Sequence, residues 1–294
     1  MMDDCTLCPR RCHALRDATQ GHGVCRMPEE MRIARIAPHL WEEPPISGKR
    51  GTGAVFFSGC TLRCVYCQNW EISHVGAGRP FSPEALADAL RRLVDLGMES
   101  ISFITATPFV PRILETLSLY RPKVPIVWNT SGYESVDTLR MLEGAVDVYL
   151  PDLKHFSPSM GKLCAGAADY FDVTSEAIRE MVRQCGMPIY NDEGIMLRGV
   201  LIRHLILPGC TGESLKLLDW VHQALPSGIP VSLMQQYVPC GDLPVEGLKR
   251  RITRREYDRV RQAMLDLEIP GYYQGQTSAS EDFIPVFNRD ESFV

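Results

Sequence analysis

From Ala54 onward the apolar positions follow two alternating rhythms. Short runs, AVFFS (Ala54–Ser58), SISFIT (Ser100–Thr105), VPIVWN (Val124–Asn129), VDVYL (Val146–Leu150), RGVLIRHLIL (Arg198–Leu207) and IPVSLMQQYV (Ile229–Val238), have the length and composition of buried strands. Between them lie segments with helical spacing. In EALADALRRLVDLG (Glu84–Gly97), Leu86, Leu90, Leu93 and Val94 share one face, Ser82 stands at the N-cap, Pro83 at the first helical position and Gly97 at the stop. FVPRILETLSLY, ESVDTLRMLEG, TSEAIREMVRQCG and GESLKLLDWVHQAL read as further helices. A last helix begins near Thr253, which forms a capping-box pattern with Glu256.

Strands that alternate with helices predict an α/β fold with a parallel sheet and right-handed crossovers. Six units, against the eight of a full barrel, predict a partial (β/α)6 TIM-like barrel with its mouth at the strand C-termini. The expected organisation is a Cys-rich extension over 1–45, a barrel over 46–245, and a C-terminal helix and tail over 246–294 packed on the barrel. The first region is poor in long apolar runs, and the Pro- and Gly-rich connector Glu42–Gly53 is expected to be extended or looped. GYYQG (Gly271–Gly275) reads as a turn or an aromatic lid, and the tail beyond it as irregular.

The balance of 45% hydrophobic and 23% charged residues in 294 is that of a globular chain with a large core. A net charge of −5 argues against nucleic acid or an anionic membrane as the main partner. The basic run Lys249–Arg261 carries Glu256 and Asp258 and reads as a solvated helix face. MMDDCTLCPRRC lacks an apolar signal core, and no window reaches a membrane-spanning length, so a cytoplasmic location is expected. Eleven cysteines in a reducing compartment point to metal or redox chemistry before disulfides.

Three of them, Cys60, Cys64 and Cys67, stand in C-x3-C-x2-C spacing directly after the first expected strand. Three thiolates on a 4Fe–4S cube leave one iron without a protein ligand, whereas structural zinc closes all four positions. A zinc site completed from a distance, or incidental core cysteines, is the plainer alternative. This loop, with Tyr66 before the third cysteine, resembles the radical S-adenosylmethionine (SAM) superfamily, and further residues resemble its pyruvate formate-lyase activating enzyme branch. Those residues are Asn69 in CQNW, Asn129-Thr130-Ser131-Gly132, Asp152-Leu153-Lys154 and the strand RHLILPG with His204. The resemblance also extends to an activase-like subgroup with CPRRC-type N-termini.

The resemblance implies that the open iron is chelated by SAM's amino and carboxylate groups. It also implies reductive cleavage to a 5′-deoxyadenosyl radical that abstracts hydrogen. It implies an oxidoreductase in which Tyr66, Asn69, Thr105, Asn129, Asp152, Lys154 and His204 surround SAM. Ferredoxin or flavodoxin would donate the electron, and a glycyl-radical enzyme would be the substrate. A peptide or small metabolite is the alternative substrate. A non-catalytic iron–sulfur or zinc scaffold, or an electron-transfer protein, is the alternative of another class. Two departures stand out. TATPF (Thr105–Phe109) replaces a Gly-Gly-Glu segment, so Thr105 and Thr107 hydroxyls or bare backbone would meet the methionine ammonium. Asn129 replaces an Asp that helps hold a monovalent cation. Each flanking residue also has a structural reading: Asp152 and Lys154 as a surface pair, His204 as a satisfied core histidine.

Cys5, Cys8, Cys12 and Cys25 form a second group, C-x2-C-x3-C-x12-C, in a segment too short to fold without a staple. The expectation is a closed structural site such as zinc, with an auxiliary 4Fe–4S cluster as the alternative. His13 and His22 are candidate substitute ligands. Cys164, Cys185, Cys210 and Cys240 show no ligand spacing.

Overall fold

Two short antiparallel strands, β1 (Met2–Cys5) and β2 (Ala14–Arg16), open the computed structural model, which describes residues 2–240, 243, 245–274, 287 and 289–294. A nine-residue strand, β3 (Met31–His39), and a single helical turn, α1 (Pro44–Ser47), follow. Then come β4 (Thr52–Phe57), β5 (Arg79–Phe81), α2 (Pro83–Asp95), β6 (Ser100–Ile104), α3 (Val110–Leu119), β7 (Ile126–Thr130), α4 (Val136–Met141) and β8 (Val148–Pro151). The second half comprises α5 (Pro158–Ala165), α6 (Tyr170–Cys185), β9 (Ile189–Tyr190), β10 (Met196–Val200), β11 (Ile202–Leu205), α7 (Thr211–Ala224), β12 (Val231–Met234), α8 (Arg254–Asp266) and β13 (Gly271–Tyr273).

Parallel pairing runs β4-β6-β7-β8-β10 and continues as β11-β12-β13. The two runs join where Asp152 bridges Arg203 in parallel register and Leu153 N–H donates to Arg203 O at 2.8 Å. The expected strand Arg198–Leu207 is thus present as two halves: β10 pairs with β8 and β11 pairs with β12. All six expected strands form, with β13 added beyond them, and the helices cover their outer face. The principal core lies in that outer layer, with Leu86, Leu90 and Leu93 of α2 against Val55, Ile101 and Phe103 of the strands. This is an α/β fold built as an incomplete barrel.

The boundary expected at residue 45 does not hold. β3 pairs antiparallel with β4 from Ile33–Phe57 to His39–Thr52, so residues 31–39 belong to the barrel sheet and the extension ends before Met31. Arg32 and Arg35 break the apolar run in sequence, yet Met31, Ile33, Ala34, Ile36 and Ala37 are all buried because both faces of this strand are covered. Of the expected tail, residues 275–286 and 288 lie outside the described residues. Phe287 is buried against Phe56 with ring centroids 5.4 Å apart, and Val294 N–H donates to Ile36 O.

Candidate functional site

The chain leaves β4 through Ser58 and Gly59. Gly59 has φ +80°, and a Cβ there would lie 2.2 Å from the Met27 side chain, so only glycine allows this turn against the N-terminal segment. The loop then delivers Cys60, Cys64 and Cys67 to the wall of one cavity of about 460 Å³. Burial raises all three thiols, Cys64 to about 12, and in Cys60 the neighbouring Cys64 and Cys67 add to it. Thiols in that setting resist ionisation until a cation arrives, which is the behaviour expected of a soft-metal donor set. Among the described residues no three Cys, His, Asp or Glu side chains converge closely enough to hold a single metal ion. Three soft thiolate donors supplied by one short loop match the donor chemistry of a 4Fe–4S cube held at three vertices. The donor set therefore fits a 4Fe–4S cluster.

Contacts around the loop fix its shape. The Ser73 hydroxyl donates to Cys67 Sγ at 3.2 Å, and Cys240 Sγ donates to the carbonyls of Tyr66 and Cys67 at 3.6 and 3.7 Å. Gln68 Nε2 reaches Gln236 O at 3.0 Å, joining the loop to the chain after β12. Tyr66 is buried and its hydroxyl meets His155 Nε2 at 3.0 Å. Burial holds His155 near 3, so its neutral ring accepts from Tyr66. Val65 N–H donates to Cys164 O.

The cysteine loop and the strand C-termini together supply the rest of the wall. Tyr66, Asn69, Thr105, Asn129, Asp152 and Lys154 all line the same cavity as the three cysteines. Thr105 holds φ +56°, an uncommon conformation for a β-branched residue, and its N–H donates to Asn129 O at 2.9 Å. Thr107 does not join it. Its hydroxyl donates to the buried Glu134 at 2.6 Å, where Thr130 also donates, at 2.5 Å.

Asp152 accepts from Lys154 at 2.5 Å and from Arg203 Nε at 2.9 Å. Burial opposes its charge, but Arg203 and Lys154 outweigh that and keep it below the usual carboxylate range. Lys154 is likewise opposed by burial, yet Asp152 keeps it charged. Their side chains are 14% and 16% exposed, so the surface-pair reading of these two residues fails.

His204 is a correction. It does not line the cavity: Nδ1 donates to Leu153 O at 2.6 Å, Nε2 accepts from Ser214 at 2.8 Å, and burial lowers it to about 4. Successive residues of a strand face opposite sides. Arg203 and Leu205 line the cavity, so His204 faces the helical layer. Arg203, which sequence reasoning passed over, is the residue of this strand that meets Asp152, and its Nη2 also donates to Asn129 Oδ1 at 2.7 Å. Alternation along RHLILPG was the signal that separates the two. Glu42 and Glu43, taken as part of a plain connector, also line the cavity and are buried.

The N-terminal cysteines are neighbours. Cys12 and Cys25 both influence Cys8, and Cys5 and Cys12 influence Cys25; burial raises Cys8 to about 12. All are free thiols. His13 is engaged by Asp4 at 2.5 Å and His22 is exposed. The segment is fastened to the cysteine loop: Arg10 donates to Thr61 O at 2.9 Å, to Gly166 O at 2.7 Å and to Ala165 O at 3.2 Å.

A model of the Radical SAM superfamily matches residues 54–221. An uncharacterized protein of Methanocaldococcus jannaschii is 30% identical over 271 residues, 87% of this chain and 72% of that protein. The pyruvate formate-lyase-activating enzyme of Streptococcus mutans is 25% identical over 177 residues, 56% of this chain and 62% of its own length. The crystal structure of a radical SAM methyltransferase from Sphaerobacter thermophilus superposes with a TM-score of 0.52 at 15% identity, covering 75% of this chain and 66% of that one. No described helix is long and apolar enough to cross a membrane.

Proposed function

The chain belongs to the radical SAM superfamily, and from that premise we propose that Cys60, Cys64 and Cys67 hold a 4Fe–4S cluster at which SAM is reductively cleaved for hydrogen abstraction. The cluster, when bound, would supply an electron and an iron site open to SAM. The chain's own residues do the rest. Tyr66, fixed by His155, and Asn69 would bound the nucleoside from the cysteine loop. The cations Lys154 and Arg203, kept charged by Asp152, would meet SAM's carboxylate. Thr105 and Asn129 would offer hydroxyl and amide contacts, and the buried setting keeps bulk water from the reacting centre.

One observation carries this reading: the three thiols and the Asp152–Lys154–Arg203 group line a single cavity. Anaerobic reconstitution followed by reduction with SAM tests it. About four irons at the triad and release of 5′-deoxyadenosine are expected. A Cys64→Ala chain should lose both, and zinc alone with no nucleoside released would refute the assignment.

For the overall reaction we propose activation of a glycyl-radical enzyme, with ferredoxin or flavodoxin as electron donor. The likeness to an activating enzyme supports it over part of the chain. Modification of a peptide or small metabolite is the competing outcome. A glycyl radical signal in a candidate partner protein, absent with the Cys64→Ala chain, distinguishes them. For Cys5, Cys8, Cys12 and Cys25 we propose a tetrathiolate metal group. A structural zinc is the first reading and an auxiliary 4Fe–4S cluster the alternative. Metal analysis of a triad-less chain decides, about four irons or about one zinc remaining.

A further inference from the structure

Glu42 and Glu43 have no part in the function proposed above. They leave β3 and enter α1, whose first residues are Pro44 and Pro45. Both carboxylates are buried, the Glu42 side chain 5% exposed and Glu43 7%, and both line the cavity that holds the cysteine triad. Glu42 Oε1 accepts from Asn129 Nδ2 at 2.9 Å. Its Oε2 makes no hydrogen bond among the described residues, and Arg203 Nη1 stands 3.6 Å away. Glu43 Oε2 also makes none, although Ser232 lies beside that carboxylate.

The cavity wall carries three acids, Glu42, Glu43 and Asp152, and three cations, Arg63, Lys154 and Arg203, of which Arg63 belongs to the cysteine loop. Lys154 is taken by Asp152 at 2.5 Å, and Arg203 spends its closest bonds on Asp152 and Asn129. The Glu42 and Glu43 carboxyls also approach each other, and two neighbouring buried carboxylates with unpartnered oxygens are unfavourable unless a proton or a cation arrives. The open positions are two acceptor oxygens on consecutive residues. A hydroxyl brings one donor and no charge. An ammonium brings three donors and a positive charge in a compact group.

We propose that Glu42 and Glu43 form a receptor for an ammonium group on a ligand bound in this cavity. The inference rests on the proposed SAM reading for the cavity's use, and two sources share its chemistry: the α-ammonium of SAM, or a primary amine on the substrate. The purely structural alternative is a carboxylic acid pair that holds its own proton and braces α1.

The test uses the full reconstituted chain, anaerobically, as wild type, Glu42→Gln and Glu43→Gln, each checked for iron content and thermal unfolding. SAM and its desamino analogue are compared by equilibrium dialysis. Propylamine is compared with propanol in the presence of SAM by ligand-observed NMR. If SAM supplies the ammonium, wild type prefers SAM over the desamino analogue by on the order of tenfold, and the variants lose that preference. If the substrate supplies it, the preference is the same in all three chains, and propylamine, but not propanol, binds wild type and fails to bind the variants. If both readouts ignore the two substitutions, the carboxylates are structural and the proposal is overturned. A chain that binds no iron and releases no 5′-deoxyadenosine would refute the SAM reading instead, and the propylamine arm would still score the receptor.

Discussion

Arg203 organises the cavity from a single position. Its guanidinium reaches Asp152, Asn129 and Glu42, three groups from three different parts of the chain. Replacing it with Met leaves Asp152 and Glu42 facing one another with Lys154 alone. A loss of about 3–5 kcal/mol is expected in urea unfolding, together with weaker SAM binding. Glu43 makes a prediction in pH. Burial raises its carboxyl from 4.5 to about 7, with Arg203 opposing and Glu42 adding to the shift. The folded chain keeps a proton that the unfolded chain releases, so this group's contribution to stability falls as pH rises from 4.5 to 7. Glu43→Gln should flatten that slope: its Tm gains on wild type between pH 5 and pH 8, and parallel curves would contradict the assignment. At this scale the cysteines, Asp152 and Lys154 were legible because spacing and strand ends mark them. Glu42, Glu43 and Arg203 were not, because their meaning lies in who faces whom across the barrel.

Among the elements, β11 shows how one strand serves two layers. His204 faces outward and is satisfied at both ring nitrogens. His204→Ala should therefore cost about 1–3 kcal/mol by leaving its partners unpaired, while SAM affinity stays as in wild type. A large loss of affinity at unchanged stability would return it to the site. α8 begins with the capping box read from sequence, the Thr253 side chain accepting from Glu256 N–H and Glu256 reaching back to Thr253 N–H. Glu256 also accepts from Gly209 N–H at 2.6 Å, so the cap tethers the loop after β11. Thr253→Ala should lower stability by about 1 kcal/mol in denaturant unfolding. The helices were readable because caps and apolar spacing are local signals. β3 was not, since its burial on both faces depends on β4, β5 and residues near the C-terminus that no local pattern announces.

For the whole molecule, the N-terminal segment and the barrel act as one body at the cysteine loop. Met27 fills the space that a side chain at residue 59 would need, and Arg10 holds the carbonyl of Thr61 between Cys60 and Cys64. Arg10→Met should therefore reduce iron retained at the triad and lower Tm, measured by metal analysis and calorimetry, although Arg10 is no ligand. The expected three-region division missed this union because a cysteine-rich composition says nothing about what the segment leans on. The alternation of strands and helices did disclose the barrel, since each βα unit carries its own periodicity.

The antiparallel ribbon of β5, β3 and β4 has a consequence in time. Its strands are close in sequence, whereas every parallel pair in the sheet waits for a helical crossover. Loop closure over short separations is the faster step. The first 81 residues already carry both groups of cysteines and all three strands of that ribbon, so this stretch can pair before any parallel crossover of the barrel has closed.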